Sequence, residues 1–359
     1  MKECNISVMM FGGRRCGKTS VIAAMKKCFE NIYGENSNIV ISLTEPEQIN
    51  IINDKYNEIE SYFNDQSQGI VFDSSSSSTT ELSEYKLKIE LKNKKSGSII
   101  LNLCDYPGEW LDTKHTEEQK ILIKRMKKCR IILIAVDTVY LMEKANGIKA
   151  DSVGIYNENR NYSRKIADMV KTSFKVDGEG AKMIMIVPLK CEKYYNNNQM
   201  NLLNKRIHTA YKPLFEFLGG SNRNNYEVVI TPILTLGEKT AEFARFERNE
   251  ENEIIIDPDL KIPEKAKYNF VNIDCKYSPK YCEQPLLYSL SYLLDWVEKI
   301  KAEERQNANL FKKLYIFFNE TFGNLASVED FLDVKNEIKN KLKKDKDGYQ
   351  IVSDPLNFR

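Results

Sequence analysis

Histidine is almost missing from this 359-residue chain, which carries only His115 and His208. A His-based catalytic triad or a His-rich metal site has nearly nothing to draw on. The eight cysteines stand apart, with no C-x2-C pair anywhere. That spacing excludes the common zinc modules, offers no disulfide framework and suits a reducing cytoplasm. Neither sign of charge dominates, because 53 Lys and Arg face 51 Asp and Glu. A net charge of +2 leaves no electrostatic footprint for nucleic acid or an anionic membrane as the main partner. Long apolar runs are missing as well. The longest, residues 131–136, has the length of a buried strand and falls far short of the ~20 residues of a membrane helix. The chain enters an apolar strand within a few residues of Met1, which leaves no room for a signal peptide.

What is present is enough to build a core. Hydrophobic residues make up 42% and charged residues 29% of a chain long enough for one large domain with insertions or two ordinary ones. The stretch that organises it is Gly12-Gly13-Arg14-Arg15-Cys16-Gly17-Lys18-Thr19, which fits G-x-x-x-x-G-K-[ST]. An apolar strand at residues 6–11 precedes it, and a periodic helix starting near Ser20 follows. That context is what the motif requires. Its glycines let the backbone wrap phosphate oxygens with N–H groups and a helix N-terminus. Lys18 then reaches the β- and γ-phosphates of a nucleotide, and the Thr19 hydroxyl ligates Mg2+.

Beyond the loop, Val21, Met25, Cys28, Phe29 and Ile32 recur at helical spacing, with Gly34 as the expected C-cap. Thr44-Glu45-Pro46-Glu47 reads as a capping box opening an inserted helix over residues 44–64. Residues 74–78 are a serine run and hence a loop. Residues 85–91 and 98–104, joined by a polar turn at 93–97, read as a β-hairpin, so one strand of the sheet is expected to be antiparallel. Helices over 113–128, 161–174 and 200–218 alternate with strands over 130–136, 182–189 and 226–234. This alternation predicts an α/β fold with a mostly parallel sheet covered on both faces. Residues 238–280 read as a small β-rich excursion, and an apolar helix over 285–300 closes a domain expected to span 1–306. Two helices, at 310–322 and 328–342, and a polar tail form an expected C-terminal helical extension over 307–359. Their apolar faces suggest a docking or oligomerisation element.

A second chemical signal is Asp105-Tyr106-Pro107-Gly108 at the end of the strand over 99–104. A carboxylate there sits beside Thr19 and can hold Mg2+ through water, while Gly108 lets its N–H approach a γ-phosphate. A third signal is Leu189-Lys190-Cys191-Glu192 after the strand over 182–189.

With phosphate loop, Asp-x-x-Gly and Lys-x-Glu in that order, the chain resembles the TRAFAC-class (Ras-like) P-loop GTPases. Asp105-Tyr106-Pro107-Gly108-Glu109-Trp110 and Leu189-Lys190-Cys191-Glu192 look like bacterial YcjX-type or double-GTPase-type proteins, over roughly residues 5–303. The resemblance implies a P-loop G domain that binds GTP and GDP with Mg2+, hydrolyses the β–γ bond and signals nucleotide state to an effector or activating protein. It assigns nucleotide contacts to Gly12, Gly13, Cys16, Gly17, Lys18, Thr19, Ser20 and Gly108, and guanine recognition to Lys190 and Glu192. It also places a final base-contacting loop between Thr231 and Gly237. The switch-one threonine that binds Mg2+ falls to Thr79 or Thr80, beside Thr19 and Asp105. Glu109 occupies the place of the family's water-orienting Gln, and Arg14 or Arg15 stands where a cis arginine finger could spread transition-state charge.

Two departures keep rivals open. Leu189 replaces an Asn that bonds the base, which admits an ATPase with relaxed base specificity. Glu109 in place of Gln admits a nucleotide-binding scaffold with little hydrolysis. Dimerisation across the nucleotide face is a further way to supply a missing catalytic group.

Overall fold

Strand alternation explains why the first apolar stretch becomes the middle of the molecule. Along β1 (Glu3–Phe11), Ile6, Val8 and Met10 pack into one core with the residues of the following helix, and Met9 and Phe11 pack into another on the opposite face. A strand apolar on both sides must be covered on both sides, which is the pattern of a mostly parallel sheet. The computed structural model describes residues 3–33, 39–66, 70–71, 81–91, 98–112, 114–144, 152–174, 182–220, 225–303, 328–344 and 346–353. Gly34, the serine run, the turn at 93–97, Thr79, Thr80 and the helix read over 310–322 lie outside them.

After β1 come α1 (Lys18–Tyr33), β2 (Ile39–Leu43), α2 (Pro46–Asn64), β3 (Ile70–Val71), β4 (Ser83–Leu91) and β5 (Ser98–Asp105). A 3-10 turn at Gly108–Leu111 leads to α3 (Thr116–Lys128), β6 (Ile131–Asp137), α4 (Thr138–Met142), α5 (Ser152–Asn161), α6 (Ser163–Phe174) and β7 (Lys182–Leu189). Then follow α7 (Glu192–Asn196), α8 (Met200–Ala210), α9 (Lys212–Gly219), β8 (Tyr226–Ile230), β9 (Ala241–Phe246), β10 (Ala266–Phe270), α10 (Gln284–Glu303), α11 (Val328–Lys341) and β11 (Gln350–Ser353). Among the described residues no helix is long and apolar enough to cross a membrane.

The fold is α/β, with a mixed, mostly parallel sheet of eight strands in the order β11-β8-β7-β6-β1-β5-β4-β2. β1 pairs in parallel with both β5 and β6, so the loops after these three strands open on the same edge. One face is covered by α1 and α10, whose Val21, Ile22, Met25, Leu286, Leu287 and Leu290 are buried. The other is covered by α3, α6, α8 and α9 through Leu122, Met126, Ile166, Val170, Leu203 and Leu214.

The sequence reading needs five local corrections. Two strands run against the rest, not one: β4 against its neighbours β2 and β5, and β11 against β8. The stretch read as a polar tail contains β11, whose Ile351 packs on one core and Val352 on the other. Thr44 does not form a capping box. Glu45 is the cap residue of α2 and makes no side-chain cap bond, while the Thr44 hydroxyl turns to the Glu45 carboxylate. The helix read over 200–218 is two, because Pro213 starts α9 and cannot donate to the preceding turn. α5 and β2 were not foreseen, the first being rich in Asn and the second only five residues long.

Two segments far apart in sequence meet in a smaller layer. β3, β10 and β9 form a three-stranded antiparallel sheet. It shares a core with Ile59 and Phe63 of α2 and with Val139 and Tyr140 of α4. Phe63 packs edge-on against Phe270 at 5.2 Å, and the Gln66 amide donates to the Cys275 carbonyl at 2.7 Å. The chain end joins the main core. Ile338 of α11 is 1% exposed, and Lys335 and Lys339 both reach Asp295 of α10, at 2.7 and 3.2 Å.

Candidate functional site: a phosphate loop at the head of a cleft

The loops after β1 and β5, the carboxyl end of β7 and the segment after β8 converge on one cleft enclosing about 1110 Å3, part of it open solvent. Clefts at this edge of a parallel sheet are where such folds bind ligands. The phosphate-loop residues Arg14 to Ser20 line its head. Gly17 takes φ +104°, a conformation that L side chains resist, and the Val21 N–H returns to the Gly17 carbonyl as α1 begins. The loop therefore closes directly onto a helix N-terminus, where backbone donors and the helix dipole favour an anion.

Lys18 is 7% exposed. Its Nζ donates to the Gly12 carbonyl at 3.2 Å and stands 3.8 Å from Asp105 Oδ1. The Thr19 hydroxyl donates to Asp105 Oδ2 at 2.9 Å. Lys18 and Thr19 open the helix that follows β1 and Asp105 ends β5, and the parallel pairing of those two strands brings them together. Among the described residues no three His, Cys, Asp or Glu side chains cluster as a self-contained metal site. A hydroxyl and a carboxylate are hard oxygen donors that fit Mg2+, provided phosphate and water oxygens complete its shell.

The Asp-x-x-Gly loop closes against the phosphate loop. A Cβ on Gly108 would come within 2.1 Å of the Arg14 backbone nitrogen, so only glycine allows this approach. Arg14 Nε meets Glu109 Oε1 at 2.8 Å, and both side chains are about a third exposed. Arg15 turns the other way, with its Nη1 3.9 Å from Glu264 and 4.0 Å from Asp257 of the smaller layer. The two arginines and Glu109 all border the cleft, but each arginine is directed to a carboxylate partner.

At the opposite end, Leu189, Lys190, Thr235 and Leu236 form the wall. Lys190 holds φ +57° and extends its ammonium to the Arg15 carbonyl at 3.2 Å. Glu192 is wholly buried behind this wall. Its Oε1 accepts from the Leu236 N–H at 2.8 Å and from the Thr235 hydroxyl at 3.4 Å, which ties the loop after β7 to the segment after β8. Oε2 has no hydrogen-bond partner among the described residues. Burial outweighs these bonds and pushes the Glu192 carboxyl up to about 7.

Several cleft residues escaped the sequence reading. Asp137, at the end of β6, is fully buried and accepts from Lys190 Nζ at 2.7 Å and Arg160 Nε at 3.4 Å. The signal that found Asp105, a carboxylate ending an apolar strand, applies to Asp137 equally. Arg160 of α5 gave no such signal. The third wall comes from α2, through Lys55, Glu58 and Ile59, and from the segment Glu264, Lys265, Ala266 and Tyr268. Nothing in their local pattern announces a ligand, because only tertiary packing brings them to the cleft.

No protein-family model matches this sequence, and no curated protein matches it. Among solved structures, the chain is similar to the S. cerevisiae Ski7 GTPase-like domain in a crystal structure bound to GTP, at 14% identity and a TM-score of 0.35. The alignment covers 65% of this chain and 43% of the other, so the chain spans less than half the length of the structure it matches. A likeness this distant carries no argument about ligand or activity.

Proposed function

We propose that this chain is a Mg2+-dependent GTPase of the P-loop class, resembling the YcjX type, whose loops report nucleotide state to a partner protein. The observation that carries the reading is the Thr19–Asp105 hydrogen bond beside a buried Lys18 at the head of the cleft. Phosphate groups take the loop amides and the Lys18 ammonium, while Thr19 and Asp105 hold the metal. Mg2+ in this position neutralises charge on the phosphates. Gly108 brings its backbone to the phosphate loop, so the turn after it is placed to respond to a γ-phosphate. The family's switch-one role stays with Thr79 or Thr80, and an effector, an activating protein or a second copy of the chain is the partner that the reading requires. Seven free thiols among the described residues accord with a reducing cytoplasm.

The cleft also supports a second reading, nucleotide binding with relaxed base selection or weak hydrolysis. Glu192 stands behind the wall with one oxygen already committed to the Leu236 N–H, and Glu109 is engaged by Arg14.

Titration with fluorescent GDP, GTP and ATP, with and without Mg2+, decides between them. Guanine preference lost in Lys18→Ala, together with multiple-turnover phosphate release, supports the GTPase. Equal ATP binding supports the second reading, and no nucleotide binding overturns both.

A further inference from the structure

The base end and the phosphate end of the cleft are joined by a closed circuit of hydrogen bonds. Two acceptors, Asp137 Oδ2 and the Arg15 carbonyl, each receive bonds from the same two cations. Lys190 Nζ reaches them at 2.7 and 3.2 Å. Arg160 reaches them with Nε at 3.4 Å and Nη2 at 3.3 Å. The circuit is shielded, since Asp137 is 0% and Arg160 5% exposed. It is also rigidly mounted. Asn161, next to Arg160, exchanges bonds with the Asp137 backbone at 2.8 and 3.1 Å, and Asp137 Oδ1 caps α4 at the Val139 N–H. The Arg160 guanidinium lies over the Tyr140 ring at 4.5 Å.

Arg15 is a member of the phosphate loop, held at φ +61°. A non-glycine residue in this left-handed region needs its surroundings to keep it there. Two charge-assisted donors on its carbonyl do so, at 3.2 and 3.3 Å. The backbone of α5 presses on the same loop, because a Cβ on Gly13 would come within 1.9 Å of the Arg160 carbonyl.

We infer that Arg160 is a positioning residue for phosphate binding, acting through the Arg15 carbonyl, and that Asp137 couples it to Lys190 at the base end. From the α5 side its fork reaches the two acceptors with separate nitrogens, Nε and Nη2, whereas a lysine in its place would have to serve both with one nitrogen on a shorter stem. The inference rests on the phosphate-binding part of the proposed function and is independent of guanine selection.

The test uses the full-length chain and two probes with Mg2+, GTP and inorganic tripolyphosphate, the second having no base. Competition against a fluorescent guanine nucleotide gives both affinities. Arg160→Met is expected to weaken both probes alike, by about tenfold. Lys190→Met is expected to weaken GTP more than tripolyphosphate. The double variant is expected to lose less than the product of the single losses, because the circuit breaks only once. Arg160→Lys keeps the charge without the fork and is the variant to use if Arg160→Met does not fold. It is expected to weaken tripolyphosphate at least threefold. Tripolyphosphate affinity within twofold of the parent chain in either Arg160 variant overturns the inference, as does a fall in melting temperature with affinity unchanged below the transition. Should the parent chain not bind tripolyphosphate, the inference falls together with the phosphate-binding reading. Should it bind GTP no better than ATP while the tripolyphosphate pattern holds, guanine selection fails and the inference stands.

Discussion

The two ends of the cleft are built in opposite ways. The phosphate end is one continuous loop, and its donors are mostly backbone groups fixed by the strand before it and the helix after it. The base end is assembled from side chains on the loop after β7, the segment after β8, α2 and the smaller layer. A site made of backbone is hard to alter except at its glycines and its lysine. A site made of side chains from separate elements can drift in specificity while the fold is kept. Under the proposed function, the contrast predicts that triphosphate binding and base choice are separable.

The strongest way to break that contrast is Lys18→Ala. It removes a buried charged donor from the phosphate end, so GTP, GDP, ATP and inorganic tripolyphosphate should all weaken by about a hundredfold, ~3 kcal/mol. A loss confined to guanine nucleotides, measured by the same competition titrations, would show that the two ends are not separable.

Glu192→Gln tests the base end through pH. The Glu192 carboxyl is raised from 4.5 to about 7 because the folded chain buries it, so folding favours the protonated form. Its contribution is fully present below pH 4.5 and is lost as pH rises through about 7. Urea denaturation between pH 4.5 and 8 should show the parent chain losing on the order of 2–3 kcal/mol relative to Glu192→Gln. Identical pH profiles would mean that the carboxyl is not held neutral.

Gly108→Ala acts where the Asp-x-x-Gly loop meets the phosphate loop. Backbone on both sides leaves no flexible side chain to yield at 2.1 Å, so the loop must shift, at about 1–3 kcal/mol. Discrimination between GTP and GDP should shrink, while binding of GDP itself changes less. Equal losses for both nucleotides would argue against a sensor at this turn.

The smallest effect is expected at the Arg14–Glu109 pair. Both side chains are about a third exposed, so solvent limits the bond to well under ~1 kcal/mol of stability. Arg14→Ala should leave the denaturation midpoint nearly unchanged. If it also leaves the rate of phosphate release unchanged, Arg14 takes no part in hydrolysis.

Legibility along the chain follows the same division. The phosphate loop, the strand of Asp105 and β7 could be read directly, because local sequence and local structure coincide there. Lys182–Leu189 is a strand both by its apolar run and in space. Reading failed where a neighbour decided the outcome. β11 is a strand through its pairing with β8, which lets Ile351 pack on one core and Val352 on the other. Asp137 carried the same sign as Asp105 but belongs to no contiguous motif. α2 and residues 238–280 were each recognised as additions to the domain, yet it is tertiary contacts such as Phe63–Phe270 and Gln66–Cys275 that make them one wall of the cleft.

By itself the sequence determined the alternating α/β pattern and the glycine-bearing loop from Gly12 into α1, because strand period, helix period and loop chemistry act within a few neighbouring residues. Only the tertiary structure decided that Lys190 and Arg160 converge on both Asp137 and the carbonyl of Arg15. Their separations of 23, 53 and 145 residues or more are closed by parallel strand pairing and helix packing. Those forces depend on the whole core and leave no mark in any short window of sequence.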